Sequence, residues 1–225
     1  MRILLAVLAI GAVQAGIQDS PEMLIRLALE RNSRDKVISQ TLVCDKDEAI
    51  EELDGNGKPK GQIKDEDSED KNHLSMNLAK LFKEGRYTYW TEGLTMLNDR
   101  IAIKIQFVPG PEEKQPGPEE RPNEGMRTQE VEKGLNKVLN RLHGTMYLDQ
   151  ETLGIVRLEA HLPEEVFHKM VWVSKTDITY EQTYVFGIWV PKRSVTDTRI
   201  AKVIKWPKQY RRTTRTCDNY RPKAP

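Results

Sequence analysis

The chain has 225 residues, 35 Lys and Arg against 34 Asp and Glu, and a formal net charge of +1. This balance excludes a global field that would draw the protein to nucleic acid or to an anionic membrane. The length suits one domain with a sizeable core.

The N-terminus has the pattern of a cleavable secretory signal peptide. Arg2 gives a positive start, Ile3–Val13 is almost wholly apolar, and Ala12–Ala15 has the small residues that signal peptidase accepts. A membrane anchor would need about 20 apolar residues, and Asp19 comes too early for that. We therefore expect residues 1–15 to be removed and the protein to be periplasmic or secreted. No later segment is apolar enough to span a bilayer.

The mature chain begins with a predicted helix and a predicted hairpin. Ser20 can cap a helix that starts at Pro21 and ends near Asn32. Val37–Leu53 is then expected to be extended. Asp54–Gly57 is a strong turn signal because Asn and Gly tolerate positive φ.

The middle of the chain contains the clearest strand. Its apolar positions alternate with Ala102, Lys104 and Gln106, and they are Ile101, Ile103, Ile105 and Phe107. Before it, residues 64–84 predict only a short amphipathic piece around Leu78, Leu81 and Phe82. After it, residues 109–125 hold five Pro, three Gly and five Glu. Such a composition cannot bury a core, and it predicts a mobile loop.

A second helix and a β meander complete the predicted elements. Thr128 is the expected cap and Gly144 the expected end of the helix, whose apolar face carries Val131, Leu135, Val138 and Leu142. The expected strands are Thr145–Asp149, Val156–Leu162, Val166–Lys175, Asp177–Phe186, Ile188–Thr196 and Thr198–Tyr220. The C-terminal half is therefore predicted to be antiparallel β.

Charge and cysteine are both distributed toward the two ends of the mature chain. Residues 45–70 contain eleven acidic and four basic side chains, whereas residues 192–223 contain eleven basic and two acidic ones. They are either solvated neighbours that attract each other or a basic lip for an anionic partner. Cys44 and Cys217 fit an oxidising compartment. A disulfide between them and two free thiols both remain open.

Several short motifs resemble those of secreted bacterial proteins similar to the outer-membrane lipoprotein carriers. GTMYLD at Gly144–Asp149, closed by GIVRLE at Gly154–Glu159, resembles their repeated hairpin. GIWVPK at Gly187–Lys192 resembles the strand that follows, and Glu51–Lys58 resembles their early hairpin. The resemblance covers most of the mature chain in order.

The resemblance implies a mainly β (α+β) fold. We expect residues 16–225 to form a single domain, with a strongly curved antiparallel sheet, an unclosed barrel, covered by two or three helices. In the carriers the apolar groove between sheet and helices holds acyl chains. Strand alternation and the aromatic residues give the candidate groove set of Ile103, Ile105, Phe107, Leu135, Val156, Leu158, Trp172 and Trp189.

No pattern of catalytic residues is recognisable. The histidines at 73, 143, 161 and 168 are scattered, only His161 and His168 are near each other in sequence, and no carboxylate–cysteine set accompanies them. No Gly-x-Ser-x-Gly elbow or phosphate-binding glycine loop occurs. We therefore expect no enzyme, metal or cofactor, and Trp172 and Trp189 either fill the core or line the groove.

Three functional hypotheses follow. The first is an exported, monomeric carrier or sensor that binds acyl chains of a lipid or a lipidated partner, driven by apolar burial. The second is an envelope protein that contacts another protein, with the groove filled by its own side chains. The third is an unrecognised enzyme.

Overall fold

The computed structural model describes residues 19–62, 76–117, 126–168, 171–202 and 209–223. The expected signal peptide, residues 1–15, lies outside the described residues. Within the described part, no helix is both long and apolar enough to cross a membrane.

The described residues form three helices and ten strands. The helices are α1 (Pro21–Ser39), α2 (Leu78–Leu81) and α3 (Met126–Leu139). The strands of the N-terminal half are β1 (Leu42–Leu53), β2 (Pro59–Gln62), β3 (Tyr87–Leu97) and β4 (Arg100–Pro109). Those of the C-terminal half are β5 (His143–Asp149), β6 (Ile155–His161), β7 (Val166–His168), β8 (Val171–Val185), β9 (Ile188–Lys202) and β10 (Gln209–Pro222).

All ten strands belong to one sheet in the order β2-β1-β10-β9-β8-β6-β5-β4-β3, with β7 paired to β8. Every pairing is antiparallel. The end strands β2 and β3 do not pair with each other, so the sheet is not closed into a barrel. The prediction of a mainly β fold built on one unclosed antiparallel sheet is confirmed.

Helix α1 begins where the sequence predicts and ends later. The Ser20 side chain accepts a hydrogen bond from Met23 N, and Pro21 occupies the first turn. The predicted end near Asn32 is wrong, because the helix continues for two more turns to Ser39. Its buried Asp35 accepts a hydrogen bond from the backbone N–H of Trp189, 3.0 Å away. A contact with a strand 154 residues away thus extends the helix, and β1 starts only at Leu42.

Several other predicted boundaries also differ, and the strand breaks predicted at residues 176 and 197 are wrong because β8 and β9 run through them. Thr128 lies inside α3, which begins at Met126. Gly144 does not end α3, because it lies within β5, where a Cβ would be 2.0 Å from the carbonyl oxygen of Glu159. Its role is close packing of the sheet rather than helix termination. The predicted strand Val166–Lys175 is divided between β7 and β8, which pair with each other.

Part of the Pro/Glu-rich segment 109–125 packs on α3. Its residues Glu112–Lys114 form a 3-10 turn. The Gln115 side chain donates to Gly110 O at 2.8 Å, and Asn136 of α3 donates to Pro116 O at 2.8 Å. These bonds tie residues 110–117 to the fold, whereas residues 118–125 lie outside the described residues.

The acidic and basic ends of the chain meet as neighbouring strands. β1 carries the first part of the acidic segment and β10 most of the described basic segment, and the two pair along ten positions. Arg215 Nε lies 2.7 Å from Glu48 Oε1, and Arg221 Nη1 lies 2.8 Å from Asp45 Oδ1. The charges of these strands therefore attract each other across the pairing, as the first of the two interpretations predicts.

The hydrophobic core lies on the β3–β8 part of the sheet. It combines sheet residues such as Ile105, Met146 and Leu158 with Ala28 of α1 and Val138 of α3, all nearly or fully inaccessible to solvent. The short amphipathic piece predicted around Leu78, Leu81 and Phe82 contains α2 and also contributes to this core. The core cluster therefore contains residues of all three helices and of the sheet.

Cys44 and Cys217 form a disulfide between β1 and β10, with their Cα atoms 5.5 Å apart. The prediction of a bridge is confirmed, and the alternative of two free thiols is not. The bridge closes a sequence separation of 173 residues. It joins the first and the last strand in chain order, which are neighbours in the sheet.

Reduction of this disulfide should lower the melting temperature by roughly 10 °C, because losing a bridge costs about 3 kcal/mol and each kcal/mol is worth about 2–4 °C at this size. Calorimetry with and without reductant measures the change, and the double variant Cys44→Ala/Cys217→Ala is the control that reductant should not affect. An equal response in both proteins would contradict a stabilising bridge.

The core prediction is tested by a matched pair of leucines. Leu158→Lys should unfold the protein, since an unpaired buried charge costs several kcal/mol against a total stability of about 5–15 kcal/mol. Leu135→Lys should remain folded, because Leu135 is 48% exposed. Circular dichroism and thermal unfolding measure both, and a folded Leu158→Lys variant would show that this position is not in a closed core.

Candidate functional site

Four of the predicted groove residues lie together in the closed core. Ile103, Ile105, Phe107 and Leu158 are each at most 2% exposed. They belong to one cluster, and Phe107 also packs edge-on against the ring of Phe82, with ring centroids 5.2 Å apart. The groove is therefore filled by the protein's own side chains at these positions.

The other predicted residues occupy different surroundings. Val156 is buried but outside this cluster, because the β5–β6 register shifts there and Ile155 takes the core position opposite Leu148. Leu135 points away from the core on α3 and is 48% exposed. Trp172 is half-buried, and its Nε1 donates to Glu165 at 2.8 Å. Of the predicted set, Trp189 alone lines the cavity described next.

An open cavity of about 500 Å³ lies between the C-terminal half of α1 and strands β1, β8, β9 and β10. We call it the α1 cavity. The N-terminal half of α1 packs into the core through Leu24, Ile25 and Ala28. The C-terminal half instead borders the α1 cavity, and the lining is Asn32, Lys36, Ser39, Gln40, Leu42, Val43, Cys44, Lys46, Met76, Tyr180, Gln182, Trp189, Pro191, Cys217, Tyr220 and Lys223.

The lining of the α1 cavity is amphipathic. Its buried part includes Tyr180, Trp189 and the Cys217 half of the disulfide. Its exposed part includes the three cations Lys36, Lys46 and Lys223, and no carboxylate occurs among the described lining residues. An aromatic and aliphatic interior thus has a positively charged mouth.

The buried side chains of Gln182 and Tyr180 place polar groups in the interior of the α1 cavity. Gln182 is 3% exposed, and its Nε2 donates to Asn32 Oδ1 at 3.0 Å and contacts the Tyr180 hydroxyl at 3.1 Å. Its Oε1 has no hydrogen-bond partner among the described residues. Burial raises the pKa of Tyr180 above its ordinary range and that of Tyr220 to about 12, so both remain neutral hydroxyls.

Trp189 is held in the cavity lining by a hydrogen-bond network. Its backbone N–H donates to Asp35 of α1, and its indole Nε1 donates to Thr152 Oγ1 at 2.9 Å. The Thr152 hydroxyl donates to Asp149 Oδ1 at 2.6 Å. Arg100 Nε donates to the other carboxylate oxygen at 2.5 Å. The network connects α1, β4, the β5–β6 turn and β9.

Packing around the indole completes this network. A Cβ on Gly154 would lie 1.9 Å from Trp189 Nε1, so only glycine leaves room for the ring. The Arg100 guanidinium lies over the rings of Tyr184 and Trp189, at 5.3 and 5.6 Å from their centroids. Asp149, Gly154 and Trp189 belong to the motifs GTMYLD, GIVRLE and GIWVPK, and in the fold the hydrogen bonds of Thr152 and the close approach of Gly154 to the indole link them.

The carboxylate of Asp149 is the charged centre of the network. Burial raises its pKa, but the hydrogen bonds from Arg100 and Thr152 lower it by more, so the net pKa lies below the usual Asp value. The folded state is thereby stabilised above the unfolded-state pKa of about 4. That contribution is lost as the pH falls through the folded-state pKa.

The histidines do not meet as their sequence positions suggest. His143 lies beside His161 across the β5–β6 pairing, with ring centroids 5.8 Å apart, whereas His168 contacts Glu130 at 3.2 Å. Burial, and then the neighbouring His161, lower the pKa of His143. In the described part of the chain, no three His, Cys, Asp or Glu side chains form a group that could hold a metal.

Comparison with protein-family models, with curated proteins and with solved structures gives no match to this chain.

Most residues of the α1 cavity escaped the sequence reasoning. Lys36 and Ser39 lie on the two turns of α1 that the sequence did not predict, and Tyr220 was placed only in a long extended segment. One signal was present, since Trp189 and Pro191 belong to the GIWVPK motif. Nothing local to the sequence indicates which residues of α1 face them.

Asp149→Asn should reduce the free energy of unfolding at pH 7 by about 2 kcal/mol, because hydrogen bonds to a charged group are replaced by weaker neutral ones. The difference from the wild type should begin to shrink as the pH falls through the unfolded-state pKa of about 4, and it should vanish only below the lower folded-state pKa of Asp149. Denaturant unfolding at pH 7 and pH 3.5 measures it. Asp177→Asn is the control, since Asp177 pairs with Lys175 on the surface and should change stability by less than about 1 kcal/mol. A pH-independent deficit for Asp149→Asn would contradict an ionic role.

Proposed function

We propose that this protein is an exported carrier or sensor that binds an amphiphile with an acyl chain and an anionic head, and that the α1 cavity is its binding site. The observation that carries the proposal is the combination of a buried aromatic interior with a lysine-lined mouth in one open cavity. The proposal concerns binding and includes no reaction.

The size of the α1 cavity supports this proposal. Its volume of about 500 Å³ lies within the range of about 300–1,000 Å³ typical of small-molecule sites. Burial of an alkyl chain against Tyr180, Trp189 and Met76 would contribute roughly 25 cal/mol for each Å² of apolar surface removed from water. An aliphatic tail is thus favoured in the interior.

The charges at the mouth of the α1 cavity support an anionic head. Lys36 lies on α1, Lys46 on β1 and Lys223 after β10, so three separate parts of the chain bring positive charge to the α1 cavity. The Oε1 of Gln182 is a hydrogen-bond acceptor without a partner among the described residues. A hydroxyl or amide of the ligand could donate a hydrogen bond to it.

The packing of Trp189 supports kinship with the lipoprotein carriers. The two hairpin motifs and the GIWVPK strand, which resemble carrier motifs, meet at Asp149, Gly154 and Trp189. Motifs that form one contact are expected to be retained together as a structural unit. This is consistent with a strongly curved carrier-like sheet, with the ligand site displaced from β4–β6 toward β9 and β10.

A second candidate is an envelope protein that contacts another protein through the edge of the sheet. The groove residues of β4 and β6 are buried in a closed core, as that hypothesis expects. On the edge strand β3, Trp90 and Met96 are exposed, and so is Ile101, which lies opposite Met96 on β4. An edge strand with exposed apolar side chains is a common site of strand addition.

Protein purified from its native compartment should carry an extractable lipid. Extraction followed by mass spectrometry identifies it, and a fluorescent fatty acid should bind the delipidated protein and be displaced by that lipid. The outcome that would overturn the carrier proposal is no lipid in the extract together with no binding of the acyl probe; a protein captured through β3 would then favour the second candidate.

A matched pair of valines locates the site. Val43→Asp places a carboxylate in the α1 cavity and should weaken binding of the acyl probe at least 10-fold, because the charge must be desolvated. Val43 is 37% exposed, so the fold should tolerate the change. Val37→Asp is the control, since Val37 lies on α1, is 65% exposed and does not line the cavity. Equal binding by the two folded variants would contradict a site in the α1 cavity.

A further inference from the structure

A second, larger cavity of about 790 Å³ lies between α3, residues 109–117 and the ends of β5 and β7. We call it the α3 cavity. It shares no lining residue with the α1 cavity. Any ligand it binds would be distinct from the acyl chain proposed above.

Basic side chains dominate the described lining of the α3 cavity. Lys133 and Lys137 are one turn apart on α3, and Arg141 follows one turn later. His143 and His168 also line the cavity, and the acidic residues of the described lining are Glu112 and Glu164. Glu130, which is not a lining residue, contacts both Lys133 and His168 at 3.2 Å.

Arg86 lies directly behind this lining and is 1% exposed. Its Nη2 donates to Asn136 Oδ1 at 2.9 Å, and its backbone carbonyl accepts from Gly110 N at 2.8 Å. Asn136 and Gly110 both line the α3 cavity. A single layer of residues therefore separates the guanidinium from the cavity.

Among the described residues, the charge of Arg86 has no counter-ion, because no carboxylate forms an ion pair with it and its Nε and Nη1 have no hydrogen-bond partner. Its favourable interaction with the Tyr87 hydroxyl involves a neutral group and does not balance the charge. Burial lowers the pKa of Arg86, yet an arginine keeps its charge at neutral pH. A buried unpaired charge costs several kcal/mol, so its presence calls for a compensating interaction.

The neighbouring α3 supplies only part of that compensation. Asn136 lies in the last turns of α3, where the helix carries a partial negative charge equivalent to about half an elementary charge. The carbonyl of Leu139, the last helical residue, already accepts a hydrogen bond from the Tyr87 hydroxyl. A full anion in the α3 cavity would balance Arg86 through the low-dielectric layer between them.

We propose that the α3 cavity is a second binding site, for a small ligand that carries a carboxylate or phosphate group, with Asn136 in its lining and Arg86 directly behind Asn136. The guanidinium fixes the Asn136 carboxamide through Oδ1, and the carboxamide donates through Nδ2 to Pro116 O. Lys137 and Arg141, both exposed, supply the attraction at the entrance.

Thermal unfolding of the full-length exported protein tests this site with two probes, inorganic phosphate and succinate, against potassium chloride at equal ionic strength. At saturating probe the wild-type melting temperature should rise by about 5 °C, because a ligand that binds only the folded state stabilises it. Arg86→Met should abolish the rise. It should also melt at a higher temperature than the wild type in chloride, since it removes an uncompensated charge. The probe that acts distinguishes a phosphate ligand from a carboxylate ligand.

Arg193→Met is the matched control, because Arg193 is an exposed arginine on β9 that lines neither cavity, and it should keep the full rise. An equal rise in the wild type and Arg86→Met, with either probe, would overturn the proposal. In that case Arg86 is compensated by α3 alone, and Arg86→Met should melt at a lower temperature in chloride.

A second variant decides the matter if Arg86→Met does not fold. Lys137→Gln/Arg141→Gln changes only exposed side chains and should weaken the effect of the probe at least 10-fold; an unchanged effect would overturn the proposal. Binding of the acyl probe in the α1 cavity should be the same in every variant. The second site can therefore fail while the carrier proposal stands, and the reverse is also true.

Discussion

The contact between Asp149, Thr152 and Trp189 is the interaction on which the rest of the structure depends. Asp149 is held by Arg100 on one side and by Thr152 on the other, and Thr152 in turn holds the indole. The backbone of the same tryptophan is bound to α1. Asp149, acting through Thr152, holds the indole, and Asp35 of α1 holds the backbone of the same residue, so the two carboxylates together position the helix next to Trp189.

The same placement divides the inner side of the sheet into two regions. Over β3–β8, apolar side chains from the helices and the strands interpenetrate and leave no groove. Beyond them, the C-terminal half of α1 presents Asn32, Lys36 and Ser39 to the sheet instead of large apolar residues. These polar side chains do not fill the space next to β9 and β10, and the α1 cavity remains there.

A buried polar side chain with atoms that lack a hydrogen-bond partner among the described residues lies at or next to each cavity. No sequence pattern indicates either of these side chains. Gln182 and Arg86 occur in segments with no recognisable motif, yet each buries nitrogen or oxygen atoms that lack partners in the described chain. Burial without a partner costs more than the same group would gain on the surface. The two residues therefore support the two proposed ligands, an amphiphile in the α1 cavity and a small anion in the α3 cavity.

The sequence by itself determined the elements whose signals are local. Strand alternation fixed β4 and β6, the Asp54–Gly57 turn fixed the first hairpin, and Ser20 with Pro21 fixed the start of α1, because each depends on neighbouring residues. The core positions of Ile103, Ile105, Phe107 and Leu158 were likewise predictable from period-two alternation. Tertiary structure alone decided where α1 ends and where both cavities lie. It also decided the β5–β6 register shift that places Ile155, rather than Val156, in the core. These depend on contacts between residues far apart in the chain, whose energies no local pattern contains.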